Sequence, residues 1–191
     1  PLYNYEFCKK NNYIWWKLRF KSMSKLYDLL RIDHFRGFES YWEIPSGEQT
    51  AINGQWIQGP GIELFNACKK EISKIQIIAE DLGIITDKVK MLKNECNFPG
   101  LKVYQFAFAD YKYTQEETKY EELNNPYLPH NYEKNCVAYI GTHDNDIEDH
   151  FIEEHQEEIP AMLDYLKINN VNDIHDTLIG SLIRSNADVV I

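Results

Sequence analysis

Three short apolar runs in this chain each end on an acidic residue, with helix-length amphipathic segments between them. Leu29-Leu30-Arg31-Ile32 leads into Asp33, and Ile75-Gln76-Ile77-Ile78-Ala79 leads into Glu80. Cys136-Val137-Ala138-Tyr139-Ile140 leads into Gly141-Thr142-His143-Asp144. Runs of that length suit buried strands, and their alternation with helices predicts an α/β fold with parallel strands and right-handed crossovers. In such sheets and barrels, reacting groups gather at the carboxyl ends of the strands. A core has no use for three unpaired carboxylates, because burying one is costly.

The remaining segments fill in that plan. Asn11-Asn12 are expected to cap a helix bearing Tyr13, Trp16, Phe20, Met23 and Tyr27. Residues 35–61, rich in Gly and Pro, read as a long irregular loop, and loops that long in compact domains are usually functional. A helix is predicted over about 62–73, burying Phe65, Cys68 and Ile72. Thr86 is expected to cap another through Val89 and Leu92, closed by Phe98-Pro99-Gly100. A strand over 101–108 and a polar loop over 110–135 follow. After Asp146 comes a charged stretch, then a helix with Ile174, Leu178 and Leu182 behind Asp173, and a final strand over 187–191. A closed (β/α)8 barrel takes roughly 250 residues. The 191 residues are therefore expected to form one partial catalytic domain, 1–191, the later part of a TIM barrel with long βα loops. Pro1 at the start and Ile191 within an apolar run suggest a piece of a longer enzyme.

Composition narrows the partners. Lys and Arg total 20 against 30 Asp and Glu, a net charge of −10 that disfavours nucleic acid or an anionic membrane. No signal peptide and no run of membrane-spanning length is present. The four cysteines stand singly, as in a reduced, cytoplasmic protein. Asp144-Asn145-Asp146 begins like a calcium loop, but Asp149 stands where such a loop needs Gly and His155 where it needs Glu. No H-E-x-x-H and no Gly-rich phosphate loop occurs, so neither metal nor cofactor is expected.

Cleavage of a glycosidic bond with retention needs a nucleophilic carboxylate and a protonated carboxylic acid about 5–5.5 Å apart. Acids on neighbouring strand ends can meet that distance. Asp33, Glu80 and Asp144 would fill the roles of nucleophile, acid/base and charge stabiliser in an order that spacing leaves open. Arg31 lies two residues before Asp33, so in a strand both side chains point the same way and can pair. His34 and His143 each adjoin a candidate acid, and Phe38, Tyr41, Trp42 and Trp56 offer rings for sugar faces.

At these residues the chain resembles the 4-α-glucanotransferase family, the amylomaltase or disproportionating-enzyme branch of the α-amylase superfamily. The resemblance is carried by R-I-D-H-F-R-G-F (31–38), Y-W-E-I-P (41–45) and G-Q-W-I-Q-G-P-G (54–61). I-I-A-E-D-L-G (77–83), P-G-L-K-V-Y-Q-F-A-F (99–108), N-P-Y-L-P-H-N-Y (125–132) and G-T-H-D-N-D (141–146) follow in the same order. It implies Asp33 as nucleophile, Glu80 as acid/base and Asp144 as transition-state stabiliser. It further implies Arg31, His34 and His143 as active-site contacts, Asp81, Leu128 and His130 near the donor or acceptor glucan, and Trp42 by the sugar subsites. Implied partners are maltodextrin, starch or glycogen-type glucans, glucose, and the missing barrel strands of a parent chain. After Asp146 the family continues with small hydroxyl residues and Gly-Trp, where this chain has Ile147-Glu148-Asp149-His150. An α-amylase-type hydrolase, a glucan-binding protein without turnover and a metal-dependent barrel hydrolase remain the alternatives.

Overall fold

The computed structural model describes residues 2–108 and 124–191, so most of the expected polar loop lies outside the described residues. Backbone contacts divide the chain into two compact units, Pro1–Gly100 and Leu101–Ile191.

The first unit opens with α1 (Tyr5–Lys10) and α2 (Ile14–Met23). Asn4, rather than Asn11 or Asn12, does the capping: its side chain accepts from the Phe7 N–H at the head of α1. Helix α2 starts behind Tyr13 in a left-handed conformation without a side-chain cap, and Tyr27 is exposed beyond its end. Strand β1 (Leu29–Ile32) pairs in parallel with β4 (Gln76–Ala79), with Ile32 opposite Ala79. The expected irregular loop contains an antiparallel hairpin, β2 (Ser40–Glu43) and β3 (Gln55–Gln58), with Trp42 opposite Trp56. The expected single helix after it is two, α3 (Gly61–Ala67) and α4 (Lys69–Ile72), broken at Cys68. Thr86 caps α5 (Asp87–Cys96) as the sequence predicts, accepting from the Val89 N–H. The core of the unit is aromatic. Phe35, Phe38, Phe65 and Phe98 are buried, with Phe65 5.7 Å from Phe35 and 5.4 Å from Phe98 between ring centroids. Such contacts add to simple area burial.

The second unit is built on β5 (Gly100–Val103), whose first residue closes the first unit, with β6 (Cys136–Tyr139) and β7 (Val189–Val190), in the order β5-β6-β7, β6 and β7 being parallel. Strand β5 ends earlier than expected because Tyr104–Ala107 tightens into a 3-10 turn. The charged stretch after Asp146 forms helix α6 (Glu148–Glu154), and the apolar run behind it forms α7 (Ile159–Leu166), both absent from the sequence reading. Helix α8 (Ile174–Ile183) buries Ile174, Leu178 and Leu182 as predicted, though Asp173 makes no side-chain cap bond. Tyr104, Phe108, Leu128 and Met162 complete the core of this unit. Parallel strands alternating with helices bear out the α/β class. Among the described residues they form no closed barrel.

Candidate active site

Asp33 follows Ile32 and Glu80 follows Ala79, and these two residues face each other across the parallel β1–β4 pair. Both acids therefore stand on adjoining strand ends. Backbone bonds continue past the strands: the Glu80 N–H donates to Ile32 O at 2.9 Å and the Phe35 N–H to Glu80 O at 3.0 Å. Between them His34 takes a left-handed conformation, φ 48°, which turns its N–H onto Glu80 Oε2 at 2.7 Å. The Leu82 N–H donates to the other oxygen, Oε1, at 2.8 Å. Glu80 is thus oriented through both oxygens, and hydrogen bonds to a carboxylate are among the stronger ones.

Arg31 Nη2 lies 2.8 Å from Asp33 Oδ1, the pairing that strand alternation predicts. The Asp33 side chain keeps 77% of its surface exposed, so the ion pair leaves it open to a reacting partner. Beside it lies a cleft of about 450 Å³, lined by Arg31, Asp33 and His34 and by the rings of Tyr3, Tyr5, Trp16 and Tyr41. The rings of Tyr3, Tyr5 and Trp16 escaped the sequence reading as site residues. The signal available was the aromatic density of the first sixteen residues.

Trp42 sits on the hairpin instead of in this cleft. Its indole N–H donates to Ala51 O, its ring meets Trp56 edge-on at 5.3 Å, and part of its surface stays exposed. Gly54 has no room for a side chain, because a Cβ there would collide with the Trp42 indole nitrogen. Asp81 points inward: Lys93 Nζ binds its Oδ2 at 2.7 Å, and both side chains are largely buried. Asp81, which the resemblance implies lies near the glucan, stands in an internal ion pair.

In the second unit, β6 delivers a tightly folded turn. Asn145 Oδ1 accepts from the Thr142 N–H and hydroxyl, both at 2.9 Å, and the Asn145 N–H returns to Thr142 O. Buried Gln105 braces the loop through Nε2 to Asp146 O at 2.9 Å, and it packs where a Cβ on Gly141 would clash. Asp144 stands exposed at the tip, with His143 Nε2 3.4 Å from its Oδ2. Leu128, in the loop that the resemblance implies lies near the glucan, has its side chain fully buried in the core. His130 faces the helices: Nδ1 lies 2.9 Å from Tyr165 Oη, and the ring lines a cleft with Thr177, Ser181 and Arg184 of and just after α8. Sequence reasoning missed Gln105, Asn145 and Lys93, whose importance lies in partners distant along the chain or in the turn they close.

Two further groups bear on the chemistry. Burial pushes the Cys68 thiol up to about 11 and the Cys96 thiol up to about 12, so neither is a thiolate nucleophile near neutral pH. Asp146, His150 and Glu154 bring one ligand-capable atom each within 4.8 Å of one another, but all three are exposed and His150 already adjoins Glu153 and Glu154.

A family model described as 4-alpha-glucanotransferase matches residues 1–191. The 4-alpha-glucanotransferase of Clostridium butyricum is 54% identical over 146 residues, covering 76% of this chain and 28% of that protein. The chloroplastic/amyloplastic 4-alpha-glucanotransferase of Solanum tuberosum is 42% identical over 192 residues, covering 100% of this chain and 31% of that protein. Among solved structures, the amylomaltase from Streptococcus agalactiae in complex with acarbose matches with a TM-score of 0.86 and 36% identity, over 100% of this chain and 37% of that one. The chain thus spans about a third or less of the curated relatives it matches. It belongs to the 4-alpha-glucanotransferase family.

Proposed function

We propose, from that membership, that the full-length protein carrying this segment moves α-1,4-glucan segments from a donor to the 4-hydroxyl of an acceptor glucan or glucose, with retention of configuration. Asp33 attacks the anomeric carbon while Glu80 gives its proton to the departing glucan oxygen, leaving a glycosyl group on Asp33. Glu80 then takes the proton of the acceptor hydroxyl, which displaces Asp33. Asp144 stabilises the oxocarbenium-like transition state through sugar hydroxyls. Arg31 keeps Asp33 oriented, His34 and His143 bind sugar hydroxyls, and the exposed part of Trp42 offers a ring face. The observation that carries the reading is the parallel register setting Asp33 beside a Glu80 held at both oxygens. The acarbose complex of the streptococcal neighbour supports an oligosaccharide ligand such as a maltodextrin, starch or glycogen-type chain. No helix among the described residues is long and apolar enough to cross a membrane. Four free cysteines suit a reducing compartment such as the cytoplasm.

The test is maltotriose disproportionation by the full-length protein and its Asp33→Asn and Glu80→Gln forms. Each substitution is expected to lower turnover at least about 10²- to 10⁴-fold. Near-normal turnover in either would end the assignment. Redistributed chain lengths in the products support transfer, whereas accumulating free reducing ends would favour the hydrolase.

A further inference from the structure

We infer that Lys93 is a positioning residue for the acid/base carboxylate of Glu80, acting through its buried ion pair with Asp81. The inference rests on the transferase reading above. Lys93 Nζ lies 2.7 Å from Asp81 Oδ2, and the two side chains keep only 11% and 12% of their surface. Burying both charges is expensive, and an apolar residue of similar size often serves stability equally well. Lys93 shares the buried face of α5 with Val89 and Leu92, where a Leu or Met would be the ordinary occupant. A charge kept there needs a task beyond packing.

The geometry supplies one. The peptide that follows Asp81 carries the Leu82 N–H, one of the two donors holding Glu80. Pinning the Asp81 side chain to α5 restrains the peptide that carries that N–H. Gly83 comes next at φ 81°, a conformation open to glycine that gives the turn no stiffness of its own. The pair is seated on bare backbone: a Cβ on Gly100 would stand 2.5 Å from Asp81 Oδ2 and 2.6 Å from Lys93 Nζ. The residue before that glycine also accepts from the β4 end, Ala79 N–H to Pro99 O at 2.9 Å. Three segments thus converge to aim one carboxylate: the end of β4, helix α5, and the Pro99-Gly100 step.

The experiment uses the full-length protein with Lys93→Met, Asp81→Asn, their combination, and Glu80→Gln as reference. Donors are maltotriose and maltotriosyl fluoride, whose fluoride leaves with little help from an acid. Each single variant is expected to lower kcat on maltotriose about 10- to 100-fold, with KM nearly unchanged, as for a group misplaced by around an ångström. The double variant should be no worse than the poorer single, because both break one unit. With the fluoride donor, the deficit in forming the glycosyl-enzyme should shrink in both singles, as is expected of Glu80→Gln. If Lys93→Met does not accumulate as folded protein, Asp81→Asn, nearly equal in shape, carries the same readouts. A raised KM with kcat intact in Asp81→Asn would overturn the inference by making Asp81 a glucan contact. A lowered melting temperature with kcat intact would overturn it by making the pair merely structural. Glu80→Gln retaining turnover would instead sink the transferase reading itself.

Discussion

The strand ends of the first unit and the loop of the second hold their acids in opposite ways. Glu80 is gripped at both oxygens by backbone amides, while its neighbour Asp81 is buried against Lys93. Asp144 rides exposed on a turn whose rigidity comes from other side chains, Thr142, Asn145 and Gln105. The contrast follows from the work proposed for each. An acid/base must meet one oxygen along one line, so its carboxylate itself is fixed. A charge that grips hydroxyls tightens as the sugar distorts, so the platform is fixed and the acid left accessible.

That comparison can be broken at its seats. The largest effect is expected at Gly100→Ala, which forces a methyl into the Asp81–Lys93 pair. Overpacking of that kind typically costs about 1–3 kcal/mol. Chemical denaturation of the full-length protein measures it, and an unchanged midpoint would mean that the pair has slack. Asn145→Ala comes next, removing the acceptor of two turn bonds for a loss of about 1 kcal/mol. Its sharper signature is a fall in turnover that persists in full with the fluoride donor, because the defect lies at the Asp144 turn and not in proton transfer by Glu80. The smallest effect is on alkaline stability. Burial raises Cys68 from 9.0 to about 11, so its contribution is full below the unfolded value and lost as pH climbs through that interval. Denaturation midpoints should decline across that window, less so in Cys68→Ala once its own destabilisation is subtracted.

The strand–acid–helix grammar was legible because it depends on contiguous residues. Ile77, Ile78 and Ala79 are buried and Glu80 emerges directly after them. The hairpin was not legible, since its strands are half-exposed and its glycines look like loop punctuation. Gly54 is there for the Trp42 ring and Gly59 for the Phe38 carbonyl, contacts set by tertiary folding. Helix α6 hid in a charged stretch because, on an otherwise mostly polar helix, it gives Phe151 to the hydrophobic core, and the short apolar α7 follows it directly. At the site, neighbours in sequence could be read and distant partners could not: Arg31 with Asp33 was visible, Asp81 with Lys93 was not. One clue existed, a lysine four residues after Val89 on the apolar stripe of α5.

Both donors to Glu80 are peptide nitrogens, contributed by His34 and Leu82. Ordinary amino-acid exchange at those two codons leaves the nitrogens in place, and only proline would erase one. Mutational drift can therefore restyle what surrounds the glutamate while its grip is inherited intact, and selection on that grip falls on whatever keeps the main chain from shifting.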